Sequence, residues 1–267
     1  MAYQNFIPSV WNEGIERELE RLCVFVEDCN RKYEGQVKKK GESVTILGVG
    51  KPTIKSLSKA NRNNDIDAPE EVEDTSVIMY INQIRYFNYM VGDIDKAQAV
   101  GGVMDALEGE TSEGLADEVD KYVGSFAGDS SVQKLFTSPV KVVSGTAGTG
   151  EKNVLHVLDE AIQKLFENDV KSTTKVVVTV SPRFYTLFKR DYTEKDTDNS
   201  EILKNGKVGR YGSVIVKMSN NVLKTDSGAT DNIMIRTQRA IAYANPVTHT
   251  EAYRPEKKFA DAVKGFI

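Results

Sequence analysis

The segment from residue 51 to residue 74 constrains the fold most, because its charges are divided sharply and it has few apolar residues. Its first part, the basic limb, carries four bases and no acid: Lys51, Lys55, Lys59 and Arg62. Its second part, the acidic limb, carries six acids and no base: Asp65, Asp67, Glu70, Glu71, Glu73 and Asp74. Residues 61–64 between the limbs are typical of a turn. The pattern predicts a long hairpin whose limbs attract each other, each cross-strand pair contributing about 0.2–1 kcal/mol.

A two-stranded ribbon of this kind is marginal in water by itself, so the hairpin needs another surface on which to rest. The chain as a whole has ordinary globular composition, with 267 residues, 40% hydrophobic and 28% charged, and it can fold without disulfides or metals. Its formal charge of −4 argues against a protein that holds nucleic acid through its net field. The charge split inside the hairpin indicates instead that the binding partners are copies of the same chain.

The elements before the hairpin are a helix and a pair of strands. Residues 9–30 show a helical apolar stripe, which consists of Trp11, Ile15, Leu19, Leu22 and Val26. The opposite face is acidic and includes Glu27 and Asp28, unlike that of a helix lying on an anionic membrane. Residues 33–47 predict two short strands around a Lys40-Gly41 turn.

After the hairpin, the pattern predicts strand structure over residues 76–91 and then the longest helix of the chain. Apolar residues at helical spacing from residue 94 to residue 126 predict a helix about 50 Å long, with Asp95 and Gln98 as an acidic capping box. Its glycines predict a bend or break between Gly109 and Gly114.

The second half predicts a compact α/β unit. Its order is a strand at 140–143, a loop at 144–150, a helix at 151–168, a strand at 175–180 and a helix that begins at Ser181-Pro182. A polar loop at 191–199 leads to further strands at 213–218, 232–236, 241–244 and 248–254.

The glycine-rich loop at 145–150 is the strongest candidate for chemistry, since it follows a strand and opens a helix as a phosphate-binding loop does. The next residues are Glu151, Lys152 and Asn153, whereas phosphate binding requires Lys followed by Ser or Thr. Glu151 would repel phosphate. We therefore interpret this segment as a loop between a strand and a helix.

Other polar clusters have structural interpretations. Asp93 and Asp95 suit the positive end of a helix, and the calcium-like series Asp196, Asp198, Ser200 lacks its glycine and final acid. The basic triplet 38–40 is short, and His156 and His249 have no ligand-spaced partners.

Cys23 and Cys29 lie about 240° apart around a helix and cannot bridge within it. Neither a signal peptide nor a membrane span is visible. We expect no catalytic, cofactor-binding or metal-binding residue.

The order of these parts resembles the major capsid proteins of tailed double-stranded-DNA bacteriophages, with the Hong Kong 97-type shell fold. Five segments carry the resemblance: YEGQVKKKGESVTIL at 33–47, INQIRYFNYMVGDIDKAQ at 81–98, VTVSPRFYTL at 178–187, GKVGRYGSVIVKMSNNV at 206–222, and 240–265. Glu42 stands where the family usually has Asp, and Asn82 and Gly92 each replace a usual carboxylate. The segments span nearly the whole chain in the family's order.

The resemblance implies an α+β fold with five regions. These are an N-terminal arm at 1–32, a peripheral domain with the spine helix at 33–49 and 81–135, an extended hairpin loop at 50–80, an axial α/β domain at 136–235, and closing strands of the peripheral domain at 236–267. The family sometimes forms Lys–Asn cross-links between neighbours, for which Lys51, Lys55 or Lys59 and Asn220 or Asn221 are candidates.

The resemblance also implies a structural protein and not an enzyme, without cofactors. Copies would form the pentamers and hexamers of an icosahedral shell that encloses DNA without sequence-specific binding, assembled in the host bacterial cytoplasm and retained in the virion. The absence of a scaffold-like leader implies a separate scaffolding protein, a portal is expected, decoration proteins are allowed, and the C-terminal end is expected to be trimmed. Two alternatives remain open: an encapsulin-like nanocompartment shell, and a nucleotide-binding enzyme built on the loop at 145–150.

Overall fold

The structure, a computed structural model, describes residues 22–33, 43–49, 53–57, 68–70, 74–92, 103–195, 208–245 and 249–267. The helices in this part are α1 (Val103–Ser125), α2 (Val154–Glu167) and α3 (Pro182–Lys195). The strands are β1 (Ser43–Val49), β2 (Asp74–Tyr80), β3 (Tyr86–Gly92), β4 (Lys141–Val143), β5 (Glu151–Asn153), β6 (Val176–Val180), β7 (Val208–Tyr211), β8 (Val214–Met218), β9 (Lys224–Thr225), β10 (Thr230–Asp231), β11 (Met234–Thr237), β12 (His249–Tyr253) and β13 (Ala260–Phe266).

The predicted α/β unit is built on a four-stranded sheet in the order β11-β6-β8-β7, in which β6 and β8 run parallel. All five residues of β6 are buried, as expected for a continuous apolar strand covered on both faces. The helices α2 and α3 add Leu158, Phe184 and Phe188 to the same apolar core. Asn153 caps α2, since its side-chain oxygen accepts hydrogen bonds from the N–H groups of Leu155 and His156.

A second core joins α1 to the N-terminal segment and to Val222 and Met234, and Phe87 of the three-stranded antiparallel sheet β12-β13-β3 packs against it. One face of α1 contributes Leu115, Ala116, Val119 and Val123 to it at helical spacing. Strand β13 is the middle strand of the sheet, and its Ala262 and Val263 are fully buried. This sheet joins the predicted closing strands to the strand that precedes the long helix.

The charge-split segment folds back as predicted. Strands β1 and β2 pair antiparallel along seven residues each, from Ser43 opposite Tyr80 to Val49 opposite Asp74. Beyond the paired strands, the backbone N–H and the hydroxyl of Thr53 both donate to the carboxylate of Glu70, at 3.0 and 2.9 Å. The two limbs of the hairpin therefore meet in the part that the structure describes.

Several sequence-based predictions differ from the structure. The predicted helix at 151–168 is helical only from Val154, because Glu151–Asn153 form strand β5, and the predicted loop at 191–199 is helical as far as Lys195. The helix at 9–30 does not reach residue 30: Leu22 is helical, but Val26–Asp28 form a 3₁₀ turn. In the range 241–244, the structure shows a single bridge from Ala242 to Asn30 in place of a strand. The strand at Ser43–Val49 pairs with β2, and the predicted Lys40-Gly41 turn lies outside the described residues.

The long helix also differs, because a break between Gly109 and Gly114, one of the two outcomes that the glycines predicted, does not occur. Helix α1 is continuous over 23 residues, and the residues before Val103 lie outside the described part. Thr111 and Ser112 donate hydrogen bonds to the carbonyls of Leu107 and Glu108 across this region. Packing of the apolar face against the second core outweighs the low helix propensity of the glycines.

The glycines of α1 yield a stability prediction. A Cβ atom at Gly114 would meet no atom within 4 Å, so Gly114→Ala should stabilise the unassembled subunit by about 0.5–1 kcal/mol. A Cβ atom at Gly124 would lie 2.7 Å from the Asn221 carbonyl oxygen, so Gly124→Ala in the same helix should destabilise it. Urea unfolding of both variants measures the two shifts, and equal signs would contradict the prediction.

Candidate assembly surface

The N-terminal segment 22–33, here called the latch, is held in the interior by a carboxylate of α1. The Asp120 carboxylate accepts hydrogen bonds from the backbone N–H groups of Val24 at 2.7 Å and Phe25 at 3.1 Å. These bonds satisfy N–H groups that no regular helix or strand would satisfy there. Burial raises the pKa of the Asp120 carboxyl, and the N–H donors only partly oppose that effect. The contact fixes the latch on the helix.

A charged cluster ties the latch to the four-stranded sheet. Asp28 is only 1% exposed, and its two oxygens lie 2.8 Å from the Lys175 Nζ and 2.5 Å from the Lys217 Nζ. The Lys217 ammonium, itself almost fully buried, also contacts Glu27 at 2.6 Å. Burial raises the pKa of Asp28, but the hydrogen bonds and charges of the two lysines outweigh it and leave the pKa below its ordinary value. Asp28 is therefore held ionised inside the protein.

Arg236 on β11 completes the attachment from the sheet side. Its guanidinium is 3% exposed and donates to the carbonyl oxygens of Phe25 at 2.5 Å and Asp28 at 3.3 Å, and to the Cys29 sulfur at 3.2 Å. It also lies 5.8 Å from the centre of the Phe25 ring. A buried guanidinium needs several acceptors, and the latch backbone provides them.

Sequence reasoning missed these residues. It placed Glu27 and Asp28 on the solvent face of a helix, whereas the structure buries Asp28 and uses both acids to neutralise Lys217. The helical period could not reveal this, because the partners lie more than 140 residues away along the chain. A signal was present only in the unusual Lys217 at the centre of an apolar strand.

The exterior differs from this charged interior, because large apolar side chains are exposed along one stretch of the sequence. Of twelve such side chains in the described residues, eight lie between residues 54 and 90. We call these eight the apolar face: Ile54, Leu57, Val77, Ile78, Tyr80, Ile84, Tyr86 and Met90. Tyr86 is 80% exposed and Val77 is 65% exposed. Val77 and Ile78 are consecutive on β2 and point to opposite sides of the ribbon, so apolar side chains are exposed on both of its sides. Their number makes this stretch the candidate for a protein–protein contact.

Comparison with known proteins gives matches among solved structures. The chain is similar to a structure of Mycobacterium phage Che8, with 26% identity over 91% of this chain and 85% of that chain and a TM-score of 0.67. It is similar to the capsid structure of the cyanophage P-SCSP1u, with 13% identity over 92% and 83% and a TM-score of 0.64. A virus-like particle from Pyrococcus furiosus matches with 12% identity over 97% and 91% and a TM-score of 0.54. No protein-family model and no curated protein matches the chain.

The chain has the fold of phage capsid proteins. The α+β capsid fold expected from the resemblance of its motifs is thereby confirmed. In this fold the latch stabilises the subunit, whereas the apolar face is exposed and can contact another protein. The capsid neighbours also point to a structural protein in a shell of many copies and to a component of the virion.

The glycine-rich loop of this capsid fold has its donors occupied. The N–H groups of Gly145 and Gly148 donate to the carboxylates of Asp191 at 3.1 Å and Glu151 at 3.2 Å. A hydrogen bond from Lys141 lowers the pKa of Glu151, which keeps that carboxylate charged. The first N–H groups of α2 are already capped by Asn153. Two carboxylates thus lie where a nucleotide phosphate would have to bind, which opposes the nucleotide-binding alternative.

The remaining candidates are dispersed. Residues 93, 95, 196, 198, 200 and 38–40 lie outside the described part, as do Lys51 and Lys59. His156 lies 3.7 Å from Glu160, and His249 is near the ring of Phe266. Asn221, a cross-link candidate, donates to Asp117 at 2.9 Å.

The two cysteines are buried and unbridged, as predicted, and burial raises the pKa of Cys23 to about 12. Within the described residues there is no group of three or more His, Cys, Asp or Glu side chains that could hold a metal ion. No helix found there is long and apolar enough to cross a membrane.

The latch yields a prediction that depends on pH. Asp28→Asn should destabilise the subunit at pH 7 by about 3 kcal/mol, because it leaves the buried Lys217 with Glu27 alone. Since the folded-state pKa of Asp28 is lowered, its contribution is complete above the ordinary value of about 3.9 and is lost as the pH falls through the folded-state pKa. The difference between wild type and variant should therefore shrink below about pH 4.

Urea unfolding at several pH values measures this difference. Lys264→Gln is the control, because Lys264 and its partner Glu251 are both about half exposed and the loss of their ion pair should cost less than about 1 kcal/mol. A wild type to Asp28→Asn difference that stays constant from pH 7 to pH 3 would show that the buried pair does not carry the effect.

Proposed function

We propose that this chain is a major capsid protein, which self-assembles into the icosahedral shell that encloses a phage double-stranded DNA genome. The observation that carries the proposal is a capsid-protein fold over more than 90% of the chain, as in the P-SCSP1u match at 92%, combined with the exposed apolar face. A monomer would gain nothing from exposing eight large apolar side chains, whereas a shell subunit covers them with its neighbours.

The five regions have the following proposed roles. The arm at 1–32 and the hairpin loop at 50–80 contact neighbouring subunits, while the axial domain at 136–235 lies around each capsomer axis. The peripheral domain, with the long helix and the closing strands, forms the body of the shell. Because residues 22–30 pack into the second core, the part of the arm that can reach a neighbour ends before residue 22.

The partners are proposed to be copies of the chain in pentamers and hexamers, a separate scaffolding protein and a portal, with decoration proteins allowed. Assembly takes place in the host bacterial cytoplasm, and the DNA is confined without sequence-specific contacts. The chain does no chemistry and needs no cofactor. The encapsulin-like alternative has the support of one match, the virus-like particle from Pyrococcus furiosus at 12% identity, and the phage matches weigh more.

Particle formation tests the proposal. The purified chain should form megadalton particles by size-exclusion chromatography and electron microscopy. Val77→Asp with Tyr80→Asp should leave a folded species of about 30 kDa, because both side chains are about 65% exposed and buried charge at an interface is costly. Ser172→Asp with Gln238→Asp adds the same charge outside the apolar face and should still form particles. Full assembly of the Val77/Tyr80 variant would contradict this use of the face.

The charge split supplies a second test. Reversal of Glu70, Glu71 and Glu73 to Lys should block assembly but leave the subunit folded, because the described Glu70 is exposed and its contact with Thr53 lies at the surface. Circular dichroism checks the fold, and electron microscopy checks the particles. Reversal of Glu110, Glu113 and Glu256, which are exposed elsewhere, is the control. Normal particles from the Glu70/Glu71/Glu73 variant would contradict the proposal that the hairpin is needed for assembly.

A further inference from the structure

A groove separates strand β4 from helix α3 in the α/β unit. Two adjoining cavities of about 610 and 640 Å³ make up the groove, and they share Val142, Arg183 and Leu187 in their walls. The larger cavity has an apolar floor, which consists of Phe136, Leu158, Val178, Phe184, Ile233 and Ile235. The smaller one is lined by residues 142–144 on one side and by the outer face of α3 on the other.

The groove is basic although the chain is acidic. Four cations line it, Lys134, Lys141, Arg183 and Arg190, against one acid, Asp231, which already accepts a hydrogen bond from Ser181. Within the described residues, no carboxylate lies within ion-pair distance of Arg183 or Arg190. These two residues are exposed and seven positions apart, which places them on one face of α3 about 10 Å from each other along the axis.

Strand β4 offers main-chain groups to the same groove. In the sheets that the structure describes, β4 has a single partner, β5, and no residue of β5 lines either cavity. The edge of β4 that faces away from β5 is therefore open to pairing with an extended segment. An apolar floor, a strand edge that pairs with no other described strand, and two arginines without a carboxylate partner among the described residues together suit an extended peptide that carries apolar and acidic side chains.

The acidic limb of the hairpin has this composition. In an extended conformation, Asp65, Asp67, Glu71 and Glu73 would share one side with Pro69, and the other side would carry Ile66, Ala68 and Val72 together with Glu70 and Asp74. The carboxylates of Asp67 and Glu71 would be about 13 Å apart, within reach of the two long arginine side chains. The limb has six acids against the four bases of its own hairpin, so it keeps negative charge for another partner.

We propose that the groove between β4 and α3 is the docking site for the acidic limb of a second copy of this chain, with Arg183 and Arg190 pairing with its carboxylates. The proposal rests on the proposed function, since it names the surface that receives the hairpin between shell subunits. Duplex DNA would meet the same arginines but would have no use for the apolar floor or the strand edge. The observations therefore favour a peptide.

Peptide binding to the unassembled full-length subunit tests the proposal. A fluorescent peptide with the sequence of residues 63–76 should bind at low salt and weaken as salt is added, because the contacts are exposed ion pairs. Arg183→Glu with Arg190→Glu should weaken binding by about tenfold or more. Lys164→Glu with Arg239→Glu makes the same charge change outside the groove and should bind as the wild type does. A peptide with its six acids replaced by Lys should prefer the Arg183/Arg190 variant.

Three results would overturn the inference. The first is equal binding of the peptide by the wild type and the Arg183/Arg190 variant, and the second is that a peptide with Asn and Gln in place of its acids binds as well as the acidic peptide. The third is that a short DNA duplex binds the groove more tightly than the peptide does. Circular dichroism confirms that each variant is folded. Particle formation is measured separately. Shells without peptide binding would refute the inference and leave the capsid role intact, whereas groove-dependent peptide binding without shells would support the contact and refute the capsid role.

Discussion

The fold depends on the buried attachment of the latch to the two cores. Asp120 from α1 holds the latch backbone, Asp28 and Glu27 neutralise Lys217 of the central sheet, and Arg236 takes its acceptors from the latch carbonyls. Without the latch, an almost fully buried lysine and a buried arginine would lie in the interior with no acceptors. The segment therefore joins the long helix to the α/β unit, although it comes at the start of the chain.

The interior, where the main charged side chains have partners, contrasts with an exterior that exposes apolar side chains. Inside, apolar side chains fill both cores, and the main charges have partners at 2.5–2.8 Å. Outside, strands β2 and β3 present five large apolar side chains to water, and Ile54, Leu57 and Ile84 in the connecting segments present three more. The subunit can thus fold before it meets its neighbours, and the hydrophobic effect then favours association. A shell needs this order of events, because a premature exposure of the cores would lead to aggregation.

Local charge matters more here than the formal total of −4. The acidic limb and the basic groove have opposite signs, and neither is visible in the sum over the chain. The same separation exists inside the protein, where the ionised Asp28 is stabilised by Lys217 on β8 and by Lys175, which directly precedes the neighbouring strand β6. In the proposed contact, the charge pattern would specify which surfaces meet, while apolar burial would supply most of the free energy.

The sequence alone determined the order of the parts, the α/β unit, the fold-back of the charge-split hairpin and the capsid resemblance. These features follow from short-range periodicity and turn chemistry, so a local pattern of residues is enough to predict them. The sequence could not predict the continuous helix through Gly109 and Gly114, since packing against a distant core overrides the propensity of single residues. Nor could it place Asp28, whose partners lie 147 and 189 positions away. Only the tertiary structure decided that this carboxylate is buried, because its charge is tolerable only where the folded chain brings two lysines beside it.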